Sequence, residues 1–348
     1  MKYLDIRLRP RGEPDREVHR SRGDFVPHLS ITVAEGLLLL DLAVLIYFIH
    51  HIAKSIQLPE VIAGIARDLE RAINAEFPRQ AGTPLEKDDD APELQSELTH
   101  LLDKPGAVVA ARHSGYLQFV GYAKLVEIAE EANAVIRLEH RPGHFVVAHR
   151  PLATVWPAGA ANQIAAALDK GHVTGPHRTL TQDPVFAIDQ LVEIAIRALS
   201  PAVNDTFTAL TCIDWLSAGL SEISSRILEE GVYRGGSGQI RLIEFDPSYA
   251  RMVNRSFDKV RQAGRAMPAV VIRMIDALGH IAENTTNGNQ LSVLLRQADM
   301  IRRGAEEEVP EPLDLDDIRS RYDRLVGTMK VPDPKTHHVA LGDMTGKA

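Results

Sequence analysis

Between Phe25 and Ile52 the chain reads FVPHLSITVAEGLLLLDLAVLIYFIHHI, and no other stretch limits the fold as strongly. A run of about 20 apolar residues in a helix crosses a hydrocarbon core of about 30 Å. This run has the length, but Glu35 and Asp41 lie inside it. A central acid opposes insertion by roughly 2.5 to 3.5 kcal/mol, while each Leu, Ile, Val or Phe returns about 0.3 to 0.6. The balance is close to zero. A helix that breaks even alone inserts with neighbours, and its acids then face those neighbours or a wet cavity. The expected partners are therefore the lipid bilayer and further transmembrane helices, missing from this chain or supplied by another. Six positions apart, the two acids point about 120° from each other and do not form a pair. Glu35 and Asp41 are candidates for an ion or proton path. They are also explained by helix ends or a partner interface, and the whole segment by a core helix of a soluble protein.

The first 24 residues mix acidic and basic side chains without an apolar centre, so no cleaved secretory signal is expected. They form a polar extramembrane segment. The flanking basic residues, Arg11, Arg16, Arg20 and Arg22 before and Lys54, Arg67 and Arg71 after, leave the orientation undecided.

With 45% apolar and 25% charged residues, the rest of the chain has the composition of a water-soluble fold. A net charge of -8, with signs interspersed, speaks against nucleic acid, which needs a concentrated basic surface. The single cysteine, Cys212, rules out an internal disulfide or a multi-cysteine metal site and sits among apolar residues, as core cysteines do. His140, His144 and His149 lack the tight spacing and acid or cysteine partners of zinc ligands, so no metal or cofactor is expected.

The fold class read from pattern is α+β, mainly α. One transmembrane helix (25–52) precedes an amphipathic connector helix (53–77), with Ile62, Ile65, Leu69 and Ile73 at helical spacing. A Pro-, Gly- and acid-rich linker (78–104) follows. Residues 105–157 alternate short Val, Ile, Phe and Tyr runs with turns, Arg141-Pro142-Gly143 among them, and predict a small β-barrel or sandwich-like domain with one inserted helix. A helical domain with one strand, QIRLIEF, covers 158–304. A linker and C-terminal helix cover 305–330, and a disordered tail 331–348. Gly235-Gly236-Ser237-Gly238 precedes its strand instead of following one, the reverse of a phosphate loop, and reads as a flexible loop.

The densest group of pointed residues is RTLTQDPVFAIDQLVEIAIRALSPAVNDTFTALTCID, Arg178 to Asp214. Asp183 before Pro184 starts a helix, because the carboxylate accepts free backbone N–H groups and proline fits the first position. Pro201 ends that helix and Asn204 or Asp205 caps the next. Caps and a Glu193–Arg197 ion pair account for most polar residues here. The alternative is that Asp189, Glu193, Arg197, Asn204, Asp205 and Asp214 line one site.

The long stretches HLSITVAEGLLLLDLAVLIYFIHHIAKSIQ and QDPVFAIDQLVEIAIRALSPAVNDTFTA, with SGYLQFV and RPGHFVV, resemble an uncharacterised family of bacterial predicted integral-membrane proteins (domain of unknown function 2254). The resemblance covers most of residues 25–328. It marks Asp183, Phe186, Gln190, Arg197, Ser200, Pro201, Asn204 and Asp205 as a signature without giving them roles. It also implies four membrane helices before a cytoplasmic region, so that this chain is an amino-terminally truncated member lacking three helices. The implied location is the bacterial inner membrane, with the C-terminal region cytoplasmic.

Three readings of function follow. The first is a transport, channel or sensing component whose cytoplasmic region forms a homo-oligomer. The second is a membrane-tethered hydrolase or transferase using carboxylates of the 183–214 hairpin, and the third a membrane scaffold. The reading leans away from an enzyme, and no catalytic residue is assigned.

Overall fold

The computed structural model describes residues 28–55, 57–77, 96–99, 101, 103–226, 231–244 and 249–329. The expected polar segment 1–24, most of the linker 78–104 and the tail 331–348 lie outside the described residues. The chain forms two compact units, Met1–Gln57 and Leu58–Ala348.

In the first unit, α1 runs from His28 to Ser55. Its stretch Leu29–His50 is long and apolar enough to cross a membrane, with a mean hydropathy of 2.1 and no side chain buried. Apolar side chains surround it on all sides, as on a helix that has lipid or other helices for neighbours. Glu35 and Asp41 are exposed along it.

The second unit begins with α2 (Leu58–Glu76), whose Ile62, Ala66, Leu69 and Ile73 are buried. That spacing is one helix face, and it packs on α5 (Pro184–Ala198) and α6 (Thr206–Ser224). Leu69 sits so close to Gly219 of α6 that a Cβ there would lie 2.6 Å from its Cδ2. The buried Arg226 guanidinium, just beyond α6, donates to the Ile73 carbonyl at 3.2 Å, to that of Phe77, and to Asn74 Oδ1 at 2.6 Å. A cation thus satisfies the carbonyls that the end of a helix leaves open.

The β part contains β1 (Ala107–Ala110), β2 (Gly115–Val120), α3 (Tyr122–Glu131), β3 (Val135–Leu138), β4 (Phe145–Val146), β5 (Pro151–Trp156), α4 (Ala161–Gly171) and β6 (His172–Gly175). Later come β7 (Val232–Arg234) and β8 (Ile240–Ile243). Five strands pair in the order β1-β5-β3-β8-β7, and three in the order β4-β2-β6. This corrects the barrel expectation: among the described residues both sheets end in open edges, and α3 and α4 complete the core. The strand expected alone in the helical region is β8. It lies parallel to β3, with Ile136 opposite Leu242, and joins the β part to the helical part. Gly235–Gly238 is the tip of the β7–β8 hairpin, with the Gly238 N–H bonded to the Gly235 carbonyl at 3.0 Å.

The helical part is completed by α7 (Tyr249–Gly264), α8 (Pro268–Ala282), α9 (Gly288–Glu308) and α10 (Pro312–Thr328). α9 continues through the acidic stretch expected to be linker. α5 packs on α6 and α7, and α8 touches α6, α9 and α10. Cys212 lies in this core, where burial pushes its thiol up to about 12. It serves as a small apolar group.

Candidate functional site: an arginine-lined cavity

The loop from β3 to β4 turns at Arg141-Pro142-Gly143. The His144 N–H bonds to the Arg141 carbonyl at 3.1 Å, and the Gly143 N–H to the Leu117 carbonyl at 2.7 Å. Gly143 has φ +89°, a conformation that L side chains avoid. Opposite it stands Asp183, which starts α5 by accepting the Phe186 N–H at 3.2 Å.

Arg178 links the first turns of α5. Its Nε donates to Asp183 Oδ2 at 2.8 Å, its Nη1 to Asp189 Oδ2 at 2.5 Å, and its guanidinium lies 4.8 Å from the Phe186 ring centre. Arg255 of α7 reaches the same Asp189 carboxylate, with Nη2 to Oδ2 at 2.8 Å. These three segments border an open cavity of about 360 Å³, lined by four arginines (Arg141, Arg178, Arg251 and Arg255), two histidines and one acid, Asp183.

Arg141 differs from the other three. Only 7% of it is exposed, and among the described residues it pairs with no carboxylate; its one side-chain hydrogen bond runs from Nε to His144 Nε2 at 3.4 Å. Burial, then the charges of Arg141 and Arg251, push the His144 ring down to about 4. His144 is therefore neutral near pH 7 and can accept that bond. The His140 ring stands edge-on to it, 6.0 Å between centres.

Behind the cavity, Glu244 accepts from Tyr122 at 2.5 Å and from Tyr233 at 2.9 Å, and the two phenol rings stack at 5.2 Å. Glu76, the last residue of α2, lies in the same field. Burial, then Glu244, pushes its carboxyl up to about 8, while Arg141 pulls it down. At neutral pH Glu76 is mostly protonated.

The signature residues divide between the two ends of α5. Asp183 and Phe186 belong to the cavity end. Ser200, Pro201, Asn204 and Asp205 form the turn at the other end of this 15-residue helix, about 22 Å away. There Ser200 Oγ donates to the Arg197 carbonyl at 2.7 Å, and Asn204 has φ +48°. Asp205 is the residue that caps α6, accepting from the Thr208 N–H at 3.1 Å. Arg197 is exposed and pairs with Glu193, and Gln190 is half-buried between the two ends. The carboxylates considered for an enzyme do not converge: Asp189 binds Arg178 and Arg255, and Asp214 pairs with Arg273 at 2.8 Å. No group of histidine, cysteine and acid side chains among the described residues is arranged to hold a metal.

Sequence reasoning placed Arg141 in a turn without a functional role and did not single out Arg251, Arg255, Glu76 or Glu244. Arg251 and Arg255 carry a usable signal, since two cations four apart on an amphipathic helix project together.

One helix long and apolar enough to cross a membrane, followed by a mainly helical unit with a charged cavity, fits a predicted membrane protein. The chain belongs to the family described as predicted membrane protein, domain of unknown function 2254, whose model matches residues 10–280 and thus every residue lining the cavity. It is similar to uncharacterized proteins of Mycobacterium bovis and Mycobacterium tuberculosis, 29% identical over 302 residues, or 85% of this chain. The chain spans 56% of the length of these relatives. No solved structure matches it.

Proposed function

We propose that the chain is a sensing component of the bacterial inner membrane, whose cytoplasmic unit takes a ligand into the arginine-lined cavity and passes its occupancy to the membrane through α2. The observation that carries this reading is the position of α2. Two residues, Ile56 and Gln57, separate it from α1, and its last residue, Glu76, lies in the field of Arg141. A ligand that alters the charge around Arg141 therefore acts on the far end of α2, the helix whose first residue, Leu58, follows α1. Glu35 and Asp41 face partner helices in this reading, and the cytoplasmic units associate as a homo-oligomer.

The route is tested without knowing the ligand. Cys212 is buried, so a fluorescent thiol probe at Gln57→Cys labels selectively. In nanodiscs, Arg141→Gln shifts the emission of that probe if the cavity and the α1–α2 junction are coupled. Emission unchanged by Arg141→Gln contradicts the route.

The scaffold reading has one observation in its favour. Val203 in the turn before α6 and Phe207 and Trp215 on α6 are 60%, 83% and 41% exposed, apolar side chains suited to another protein surface.

A further inference from the structure

We propose that the cavity between the Arg141 loop, α5 and α7 binds a phosphoryl group, as free phosphate or as the headgroup of an acidic phospholipid. The inference takes from the sensing role the premise that this cavity is the ligand site.

The argument starts from Arg141. A guanidinium withdrawn from water carries a large desolvation cost unless an anion faces it. Asp183 and Glu244 act on Arg141 through space, but Asp183 is bonded to Arg178 and Asp189 to Arg178 and Arg255, and the hydrogen bond Arg141 makes is from its Nε to the neutral His144 ring. Its terminal nitrogens are left for the cavity that it lines. Burial lowers its proton affinity, but an arginine stays charged at any physiological pH.

The geometry selects among anions. A carboxylate presents two oxygens in one plane and is filled by two guanidinium groups, as Asp189 is by Arg178 and Arg255. A phosphoryl group presents three or four oxygens in a tetrahedron and takes donors from several directions. The cavity offers Arg141 from one loop and, through the N–H groups that their aspartates leave over, Arg178 from the segment before α5 and Arg255 of α7, while Arg251 one turn earlier on α7 adds positive charge at the wall. His140 adds a further donor at the wall. A volume of about 360 Å³ admits the phosphoryl group together with a small organic substituent. Phe145 is half-exposed beside it and gives that substituent an apolar edge.

The test uses the full chain in nanodiscs of neutral lipid, with inorganic phosphate as the probe and ionic strength held constant with chloride. Phosphate raises the melting temperature saturably, whereas chloride and acetate at equal ionic strength do not. Arg141→Gln weakens the apparent affinity by at least about tenfold, as loss of a buried charge partner does. Arg255→Gln, at a more exposed position, does so to a smaller extent, which guards against a folding defect in the first variant. Arg319→Gln, in an exposed pair of α10, leaves the response unchanged. A shift reproduced by acetate, or one that survives both Arg141→Gln and Arg255→Gln, overturns the proposal. Nanodiscs doped with phosphatidic acid separate the sources: competition with phosphate assigns the headgroup, and lack of competition assigns soluble phosphate. Phosphate binding with an unmoved probe at position 57 sustains this inference and contradicts the route through α2. A probe shifted by Arg141→Gln in a protein indifferent to phosphate does the reverse.

Discussion

Gly143 and Asp183 are in such close contact that a Cβ on the glycine would lie 2.0 Å from the carboxylate Oδ2. One residue sits in the turn after β3 and the other starts α5, so their contact sets how the β part meets the helices at the cavity. Gly143→Ala combines this clash with a φ of +89°. The backbone conformation alone costs about 1–2 kcal/mol, and displacement of Asp183 adds the loss of the α5 cap. Thermal unfolding of Gly143→Ala should show a lower midpoint than the parent, and an unchanged midpoint would contradict the contact.

The two residues of the polar turn, Asn204 and Asp205, have different tasks. Asp205→Ala removes an N-cap and should destabilise by about 0.5–2 kcal/mol. Asn204 occupies a left-handed conformation, so Asn204→Gly should be neutral or slightly stabilising and Asn204→Val destabilising. Denaturant titration of the three variants checks the order, and equal losses in all three would contradict it.

Arg226 holds the end of α2 by hydrogen bonds to the Ile73 and Phe77 carbonyls and to Asn74. Hydrogen bonds to a charged group contribute about 1.5–3 kcal/mol. Arg226→Ala should lose stability on that scale and speed amide exchange in the last turns of α2. Arg226→Lys, with a point charge in place of a planar fork, should recover only part of it.

Glu76 gives the protein a pH dependence of known sign. Its carboxyl is pushed from 4.5 up to about 8 in the folded chain, so between these values the native state holds a proton that the unfolded state releases. The contribution is complete below the lower value and is lost as pH rises through the upper one. Glu76→Gln should flatten the fall in melting temperature from about pH 5 to about pH 8. A variant whose profile parallels the parent's across that range would contradict a half-buried, protonated Glu76.

Much of the architecture was legible because it is local. The apolar run of α1, the Ile62–Leu69–Ile73 face of α2, the Asp183-Pro184 start of α5 and the Arg141-Pro142-Gly143 turn each follow from neighbouring residues. What was not legible depends on distant pairing. The parallel contact of β3 with β8 brings Ile136 to Leu242, and β6 is four residues long and directly continues α4. The cavity is of the same kind, since Arg141, Arg178 and Arg251 meet only after the sheet and the helices have packed. The signature segment gave the cap, Asp183, and the stacked Phe186. The buried arginine that gives the cavity its character lies outside it.

The central claim is that occupancy of the arginine cavity is felt by α2. Hydrogen exchange along residues 58–76, measured in nanodiscs with and without phosphate, tests it most directly. The account predicts slower exchange in the turns next to Glu76 when phosphate is present, and no such effect in Arg141→Gln. Phosphate that protects the 140–144 loop while leaving α2 unchanged would contradict it.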